Sequence, residues 1–373
     1  MLYWETPYDS ITHIQPLLSP KLASFHLRVI PETSDNKAIT SFLKTLPSRC
    51  PGLKVISFDI EVEEAGSIMS ALSRAVCNFQ KLDRLVIRHP IDGGALRHLF
   101  LSPQFTQLVF TNQEWNLGEL LIFPFDIPFS SVKEITLSGP DLAYITGLLR
   151  SEHQTFSTAE FFLGVTPTSQ LIHYFLTALV SQPRQSSLTS LTLKSHTQSR
   201  QEDDVDYSLL HNTLQPLTLL HNLRELRIDL DNRISLNDTE LAGLAHGWPL
   251  LQVLKLDFMD ASSTKRVTLR GLLLLSVTCP KLREVSLSVD CRKIPIKGVS
   301  TGVCSVSLEE TTFRKSPIED SYLVAAFLLT HFPSITSVKL WDQADANVKR
   351  WAQVQRYVDR KNDISLALRV KSS

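Results

Sequence analysis

The chain has 373 residues, with 38 Lys and Arg balanced by 38 Asp and Glu and a hydrophobic content of 43%. A net charge of zero supplies no global field for nucleic acid or an anionic membrane. No apolar run approaches the ~18 to 20 residues that span a bilayer, so neither nucleic-acid binding nor membrane insertion is expected.

The opening, "MLYWETPYDS", has neither a basic n-region nor a small-residue cleavage site and reads as lacking a secretory leader. A reducing compartment, cytoplasmic or nuclear, is the expectation. Five cysteines at 50, 77, 279, 291 and 304 form no CxxC pair and match no His spacing. They read as small buried apolar residues, with no disulfide framework, metal site or cofactor.

In chain order, Leu2 and Trp4 have the alternation of a strand, and Ile14 to Pro20 lead into a joint. This start looks like the middle of a repeat, so the chain is expected to be truncated at its N-terminus, inside a repeat array. From Leu22 one phrase recurs, with apolar residues at offsets zero, three and five. Copies begin at Leu22, Leu53, Leu82, Phe105 and Val132, weakly at Phe156, then at Leu188, Leu223, Leu251, Leu282, Val303 ("VCSVSL") and Ile335, spaced 21 to 35 residues apart. That period lies in the leucine-rich-repeat range.

The phrase has a physical reading. Side chains alternate faces along a strand, so its fourth and sixth residues point inward together while the third, fifth and seventh point outward. One such strand cannot bury its apolar row alone. Parallel stacking at ~4.8 Å per strand lets each row cover the next, and twelve strands make an inner sheet about 50 Å long.

Segments with helix period lie between the phrases. "NDTELAGLAHGWP" starts on a cap at Asn237 with Glu240 three residues on and stops before Pro249; "TLRGLLLLSVTCP" runs from Thr268 to Pro280. Proline ends each helix and turns the chain into the next strand. Cys-Pro-x-Leu is therefore the joint between the outer helix of one repeat and the inner strand of the next.

The expected fold is an α/β leucine-rich-repeat solenoid (horseshoe): a parallel inner sheet of about twelve short strands, outer helices and a C-terminal capping helix. A doubly wound sheet would want longer, wholly apolar strands and a Gly-rich turn, whereas only 13 glycines occur and no GxGxxG. The solenoid is expected over 1–345, with a polar, acidic insertion at about 195–207 ("QSRQEDDVDYS" and its approach). The remainder, 346–373, reads as a cap and tail, with Val348, Trp351, Val354 (or Gln355) and Val358 inward and Lys349, Arg350, Arg356 and Arg360 outward.

The Cys/Trp/Phe-Pro-x-Leu joints, with "LFLSPQF" (99–105), "LAHGWPLLQVLKL" (244–256), "VTLRGLLLLSVTCPKLREVSLSVD" (267–290) and "SPIEDSYLVAAFLLTHFPSITSVKLWD" (316–342), resemble the leucine-rich-repeat half of fungal-type F-box proteins. The resemblance spans nearly the whole chain and is specific from residue 244 onward. It implies the substrate receptor of a cullin-type ubiquitin ligase (SCF), in which the F-box holds the ligase adaptor and the repeats hold the protein to be tagged for degradation. The sequence departs from that pattern before Leu22, where no F-box-like segment is found; adaptor binding is expected only if an F-box lies upstream. The alternative reading is a leucine-rich-repeat scaffold, inhibitor or GTPase regulator with no ligase link.

No enzyme chemistry is expected. "GVSTG" (298–302) fits GxSxG, but a nucleophile elbow needs a strand before the serine and a helix after it; Pro295 interrupts the approach and a repeat phrase follows. The informative surface is the concave one, where a monomer would meet its protein partner through the outward positions. Those singled out are Arg84, Arg88, Glu134, Glu225, Arg227, Asp229, Lys255, Asp257, Glu284, Lys339 and Trp341. If the phrases at 223 and 251 are in register, Arg227 lies beside Lys255 and Asp229 beside Asp257. Like charges across strands are destabilising, which points to function unless diagonal pairs such as Arg227 with Asp257 cancel the cost. Trp341 is the candidate aromatic anchor, or it tucks under the C-terminal helix.

Overall fold

The computed structural model describes residues 1–30, 37–60, 65–89, 91–111, 131–139, 142–149, 156–181, 187–195, 207–230, 232–256, 267–295, 307–313, 316–339 and 347–372. The joint phrase sets the architecture. In Cys50-Pro51-Gly52-Leu53 the Leu53 amide donates to the Cys50 carbonyl (3.3 Å), and the same bond closes Cys279 to Leu282 (3.0 Å), Trp248 to Leu251 (3.1 Å) and Phe332 to Ile335 (3.1 Å). Each is a β-turn with proline second, where its fixed φ is pre-set for the turn. Proline thus both ends the helix and makes the corner.

Behind each corner the backbone is tied to the previous repeat. The second residue of the phrase donates its amide one repeat back, Lys54 to Ala23 (2.8 Å), Asp83 to Lys54 (2.8 Å) and Thr106 to Asp83 (2.9 Å); Gln252 to Arg224 (2.7 Å) and Arg283 to Gln252 (2.8 Å) repeat it. These bonds fix register before the strand begins.

The chain divides into two compact units, Met1–Val165 with Ser181–Ser187, and Thr166–Val180 with Leu188–Ser373. The first holds strands β1 (Leu2–Pro7), β2 (Ser24–Ile30), β3 (Val55–Ile60), β4 (Arg84–Ile87), β5 (Gln107–Phe110), β6 (Glu134–Gly139) and β7 (Thr158–Leu163). They pair in chain order, all parallel. Its helices are α1 (Lys37–Arg49), α2 (Ala65–Cys77), α3 (Gly93–Leu101) and α4 (Leu142–Leu149), preceded by a 3-10 helix over Tyr8–Leu17.

The second unit holds α5 (Ser169–Val180), β8 (Ser190–Ser195), β9 (Ser208–Leu209), α6 (His211–Leu214), β10 (Glu225–Asp229), β11 (Arg233–Ile234), α7 (Asp238–Ala245), β12 (Val253–Leu256), β13 (Val267–Thr268), α8 (Leu269–Thr278), β14 (Glu284–Leu287), β15 (Val289–Asp290), β16 (Glu310–Phe313), α9 (Ser321–His331), β17 (Ser337–Lys339) and α10 (Val348–Ser372). Its main strands run β8, β10, β12, β14, β16, β17, all parallel. Short side ladders join β9 to β11 and β13 to β15 where the chain leaves the sheet. Among the described residues each unit thus forms a parallel sheet with helices between its strands, seven strands in the first and six in the second, the leucine-rich-repeat type of α/β solenoid that the period implies.

The core is the inward row. Phe25, Ile56, Leu85, Phe105, Phe161, Leu226, Leu254, Leu282 and Phe313 are buried, and burial alternates along β3 and β12 as a one-sided strand requires. Helix starts follow capping chemistry. Asn237 accepts the Glu240 amide (2.9 Å) while the Glu240 carboxylate accepts the Asn237 amide (2.9 Å), a complete capping box. Asp238 then accepts both the amide and the hydroxyl of Thr268 (2.7 Å each), the cap of α8, linking consecutive helices.

One phrase is misplaced by the sequence reading. The strand expected from "VCSVSL" is β16, five residues later, with Leu308, Thr311 and Phe313 buried at offsets zero, three and five. Leu308 makes the better corner: the Glu309 amide reaches the Arg283 carbonyl (2.9 Å), as the Arg283 amide reaches Gln252. The spacing around it becomes 26 and 27 residues in place of 21 and 32.

At the far end Trp351, Val354 and Val358 of α10 are buried and Lys349, Arg350, Arg356 and Arg360 exposed. Trp351 stacks on Phe313 with ring centroids 4.5 Å apart and donates to the Ser316 carbonyl (3.0 Å). Gln355 accepts the Val338 amide of the last strand. The helix runs from Val348 to Ser372, through the segment expected to be tail.

Candidate functional site: the open strand face

The outward residues stand in rows set by the pairing register. In the first unit the seventh positions alternate in charge: Glu5 faces Arg28 and Arg28 faces Asp59. Arg28 lies 3.8 Å from Glu5 and 3.5 Å from Asp59, and Arg88 lies 3.1 Å from Asp59. The centre of this face is apolar, since Val86 and Val109 are in register and half-buried, with Val55 beside Arg84. Arg84 and Glu134 are exposed, and neither has an ion pair among the described residues.

The second unit arranges its charges differently. Arg227 stands in register with Lys255, as the sequence predicts, and Glu284 with Glu310. Like charges are therefore neighbours within a row, and the cost is met between rows: Arg227 reaches Glu225 (3.3 Å), Lys255 pairs with Glu284, and Lys339 reaches Glu310 (2.6 Å). Asp229 faces Lys194. Thr192, Ser286 and Thr312, outward by position, are nevertheless buried. They are short side chains sharing the row Thr192, Arg227, Lys255, Ser286, Thr312, Lys339 with long ones.

Of the sequence candidates, Arg84, Arg88 and Glu134 come together on the first unit's face, and Glu225, Arg227, Asp229, Lys255, Glu284 and Lys339 on the second's. Asp257 and Trp341 lie outside the described residues, as do GVSTG, residues 196–206 of the acidic insertion and Cys304. Glu310 was missed because its strand was placed five residues early. Glu5 was missed because only its alternation partners, Leu2 and Trp4, stood out.

Behind the face, buried polar groups hold the chain where it leaves the sheet. Asn232 donates to the carbonyls of Pro167 (2.8 Å) and Tyr207 (2.9 Å). His89 contacts the Ile60 carbonyl, and burial pushes its pKa below the ordinary imidazole value. Their partners lie 25 to 65 residues away, so no local motif announces them. The described cysteines are free thiols; burial pushes Cys279 up to about 12 and raises Cys50, Cys77 and Cys291, which makes them packing residues without thiolate chemistry. Among the described residues no group of three or more His, Cys, Asp or Glu is placed to hold a metal ion, and no helix is long and apolar enough to cross a membrane.

No model of a known protein family matches the sequence, and no curated protein matches it. Among solved structures, the yeast Rad7–Elc1 complex contains a chain similar to this one with a TM-score of 0.44 and 12% identity, over 91% of this chain and 81% of that one. The Drosophila Toll–Spatzle complex gives a TM-score of 0.33 and 13% identity, over 88% of this chain and 52% of the other. At these scores neither likeness bears on what the chain does.

Proposed function

We propose that the chain is a non-catalytic protein-binding solenoid, the substrate-recognition part of an F-box receptor for a cullin-type ubiquitin ligase. The observation that carries the binding role is the open strand face, where parallel strands in fixed register present charged side chains in ordered rows while the opposite face is core. A face serving stability alone has little reason to place Arg227 beside Lys255 and Glu284 beside Glu310. The partner-binding residues are Arg84, Arg88, Glu134, Glu225, Arg227, Asp229, Lys255, Asp257, Glu284, Lys339 and Trp341.

The ligase link rests on the resemblance of the Cys/Trp/Phe-Pro-x-Leu joints and of the segments from residue 244 onward to fungal-type F-box proteins. α10 would serve as the cap of the array, since it covers the last inward row and accepts an amide of the edge strand.

Affinity capture with the full coding sequence and the proteasome blocked tests both parts. The ligase adaptor and a ubiquitin-modified protein should co-purify, and the protein should be lost when Arg227 and Lys255 are both replaced by glutamate. Capture of a partner without the adaptor would leave a repeat scaffold and remove the ligase reading.

A further inference from the structure

The first unit's face holds a patch that its charge rows do not use. Arg28, Arg88, Arg227, Lys255 and Lys339 each hold a carboxylate; among the described residues Arg84 holds none. On the same register row, with Gln107 between them, Glu134 holds no base among the described residues. Val55 stands beside Arg84 in that row, and Val86 and Val109 form the next outward pair along β4 and β5, all three half-buried aliphatic side chains. The elements of a small docking surface are present: an aliphatic pair beside a row that ends in one charge of each sign, neither with an ion pair among the described residues.

The spacing selects the occupant. Arg84 and Glu134 are two strand steps apart, about 9.6 Å at ~4.8 Å per step. Along an extended chain, residues on the same side recur at about 6.8 and 13.6 Å, and neither matches. In an α-helix residues i and i+7 fall on the same face about 10.5 Å apart, with i+3 and i+4 between them.

We propose that this patch binds an amphipathic helix of a partner protein, lying across β4, β5 and β6, with an acidic residue at one end of its buried face, aliphatic residues at i+3 and i+4, and a basic residue at i+7. The acid meets Arg84, the aliphatic pair covers Val86 and Val109, and the base meets Glu134. The inference rests on the reading of the strand face as a protein-binding surface and names the partner chemistry of its first part; the ligase link plays no role in it.

The test uses the full chain and three labelled, stapled helical peptides, identical except for positions i and i+7, which carry Glu/Lys, Glu/Glu or Lys/Lys. Fluorescence anisotropy reads their affinities for the wild type, Arg84→Glu and Glu134→Lys. The wild type should prefer Glu/Lys, Arg84→Glu should prefer Lys/Lys and Glu134→Lys should prefer Glu/Glu. Each mismatched pair should weaken binding roughly fivefold, the size of a partly exposed ion pair. Both substitutions are at exposed positions, so circular dichroism should show unchanged folding. Equal binding of the three peptides, a preference that ignores the substitutions, or no binding by any peptide would overturn the proposal. Loss of adaptor co-purification with the peptide preferences intact would count against the ligase reading alone.

Discussion

The two units use one frame and lay different surfaces over it. In the first, opposite charges alternate along a row, Glu5, Arg28, Asp59 and Arg88, and neutralise one another in register. In the second, like charges are neighbours along the row and neutralise across rows, Arg227 with Glu225, Lys255 with Glu284 and Lys339 with Glu310. The inward rows are alike in both: Ile56, Leu85 and Leu108 in one, Leu226, Leu254 and Val285 in the other, all buried. Packing constrains the fourth and sixth positions and leaves the third, fifth and seventh free to diverge, so recognition can change along the solenoid without disturbing the fold.

The strongest challenge to that division is to cut the same inward position in each unit. Leu85→Ala and Leu254→Ala should each cost about 2 to 5 kcal/mol, read by chemical denaturation with a probe in each unit. Similar costs support a common frame; a negligible cost at either site would show that its inward row is not core. The second unit carries its polar clasp at Asn232. Asn232→Ala leaves the Pro167 and Tyr207 carbonyls without their donor and should cost about 1 to 3 kcal/mol, seen as faster amide exchange near the joins to β9 and β11.

The matching polar group of the first unit is a titrating one. Burial lowers the His89 pKa, so the unfolded chain binds the extra proton more readily. Stability is then full above the ordinary imidazole value near 6.5 and falls as pH drops below it, by at most about 1.4 kcal/mol per pH unit. His89→Gln should flatten that fall in the first unit's melting between pH 7 and 5; an unchanged slope would assign it to other groups. The smallest effect belongs to the faces. Arg28→Gln removes two partly exposed ion pairs and Lys255→Gln one, and each should change stability by no more than about 1 kcal/mol, while Lys255→Gln weakens partner capture.

Much of this was legible in the sequence because the joint is local. Pro51, Pro249, Pro280 and Pro333 sit second in tight turns, and Asn237 with Glu240 spells out a capping box. The burial of Trp351, Val354 and Val358 follows from helical spacing. Around residue 308 the reading failed because Thr311 occupies an inward position; hydroxyl-bearing Thr scores as polar, and the more apolar "VCSVSL" took its place. The face was legible in register but not in pairing. Arg227 with Lys255 could be foreseen, whereas Lys255 with Glu284 depends on which way long side chains lean. The clasps at His89 and Asn232 were invisible, since they join the ends of separate repeats.

A deletion of one repeat tests the central claim, that each short inward row is kept dry by equivalent rows on either side. Removing residues 53–81 joins Gly52 to Leu82, one corner to the next, and deletes β3 and α2 as a unit. Removing 53–66, about half a repeat, joins the same corner into α2 and deletes β3 without its helix. The in-phase variant should retain a cooperative unfolding transition and wild-type circular dichroism per residue, and the out-of-phase variant should lose the transition. Two variants that behave alike, both folded or both unfolded, would contradict the account.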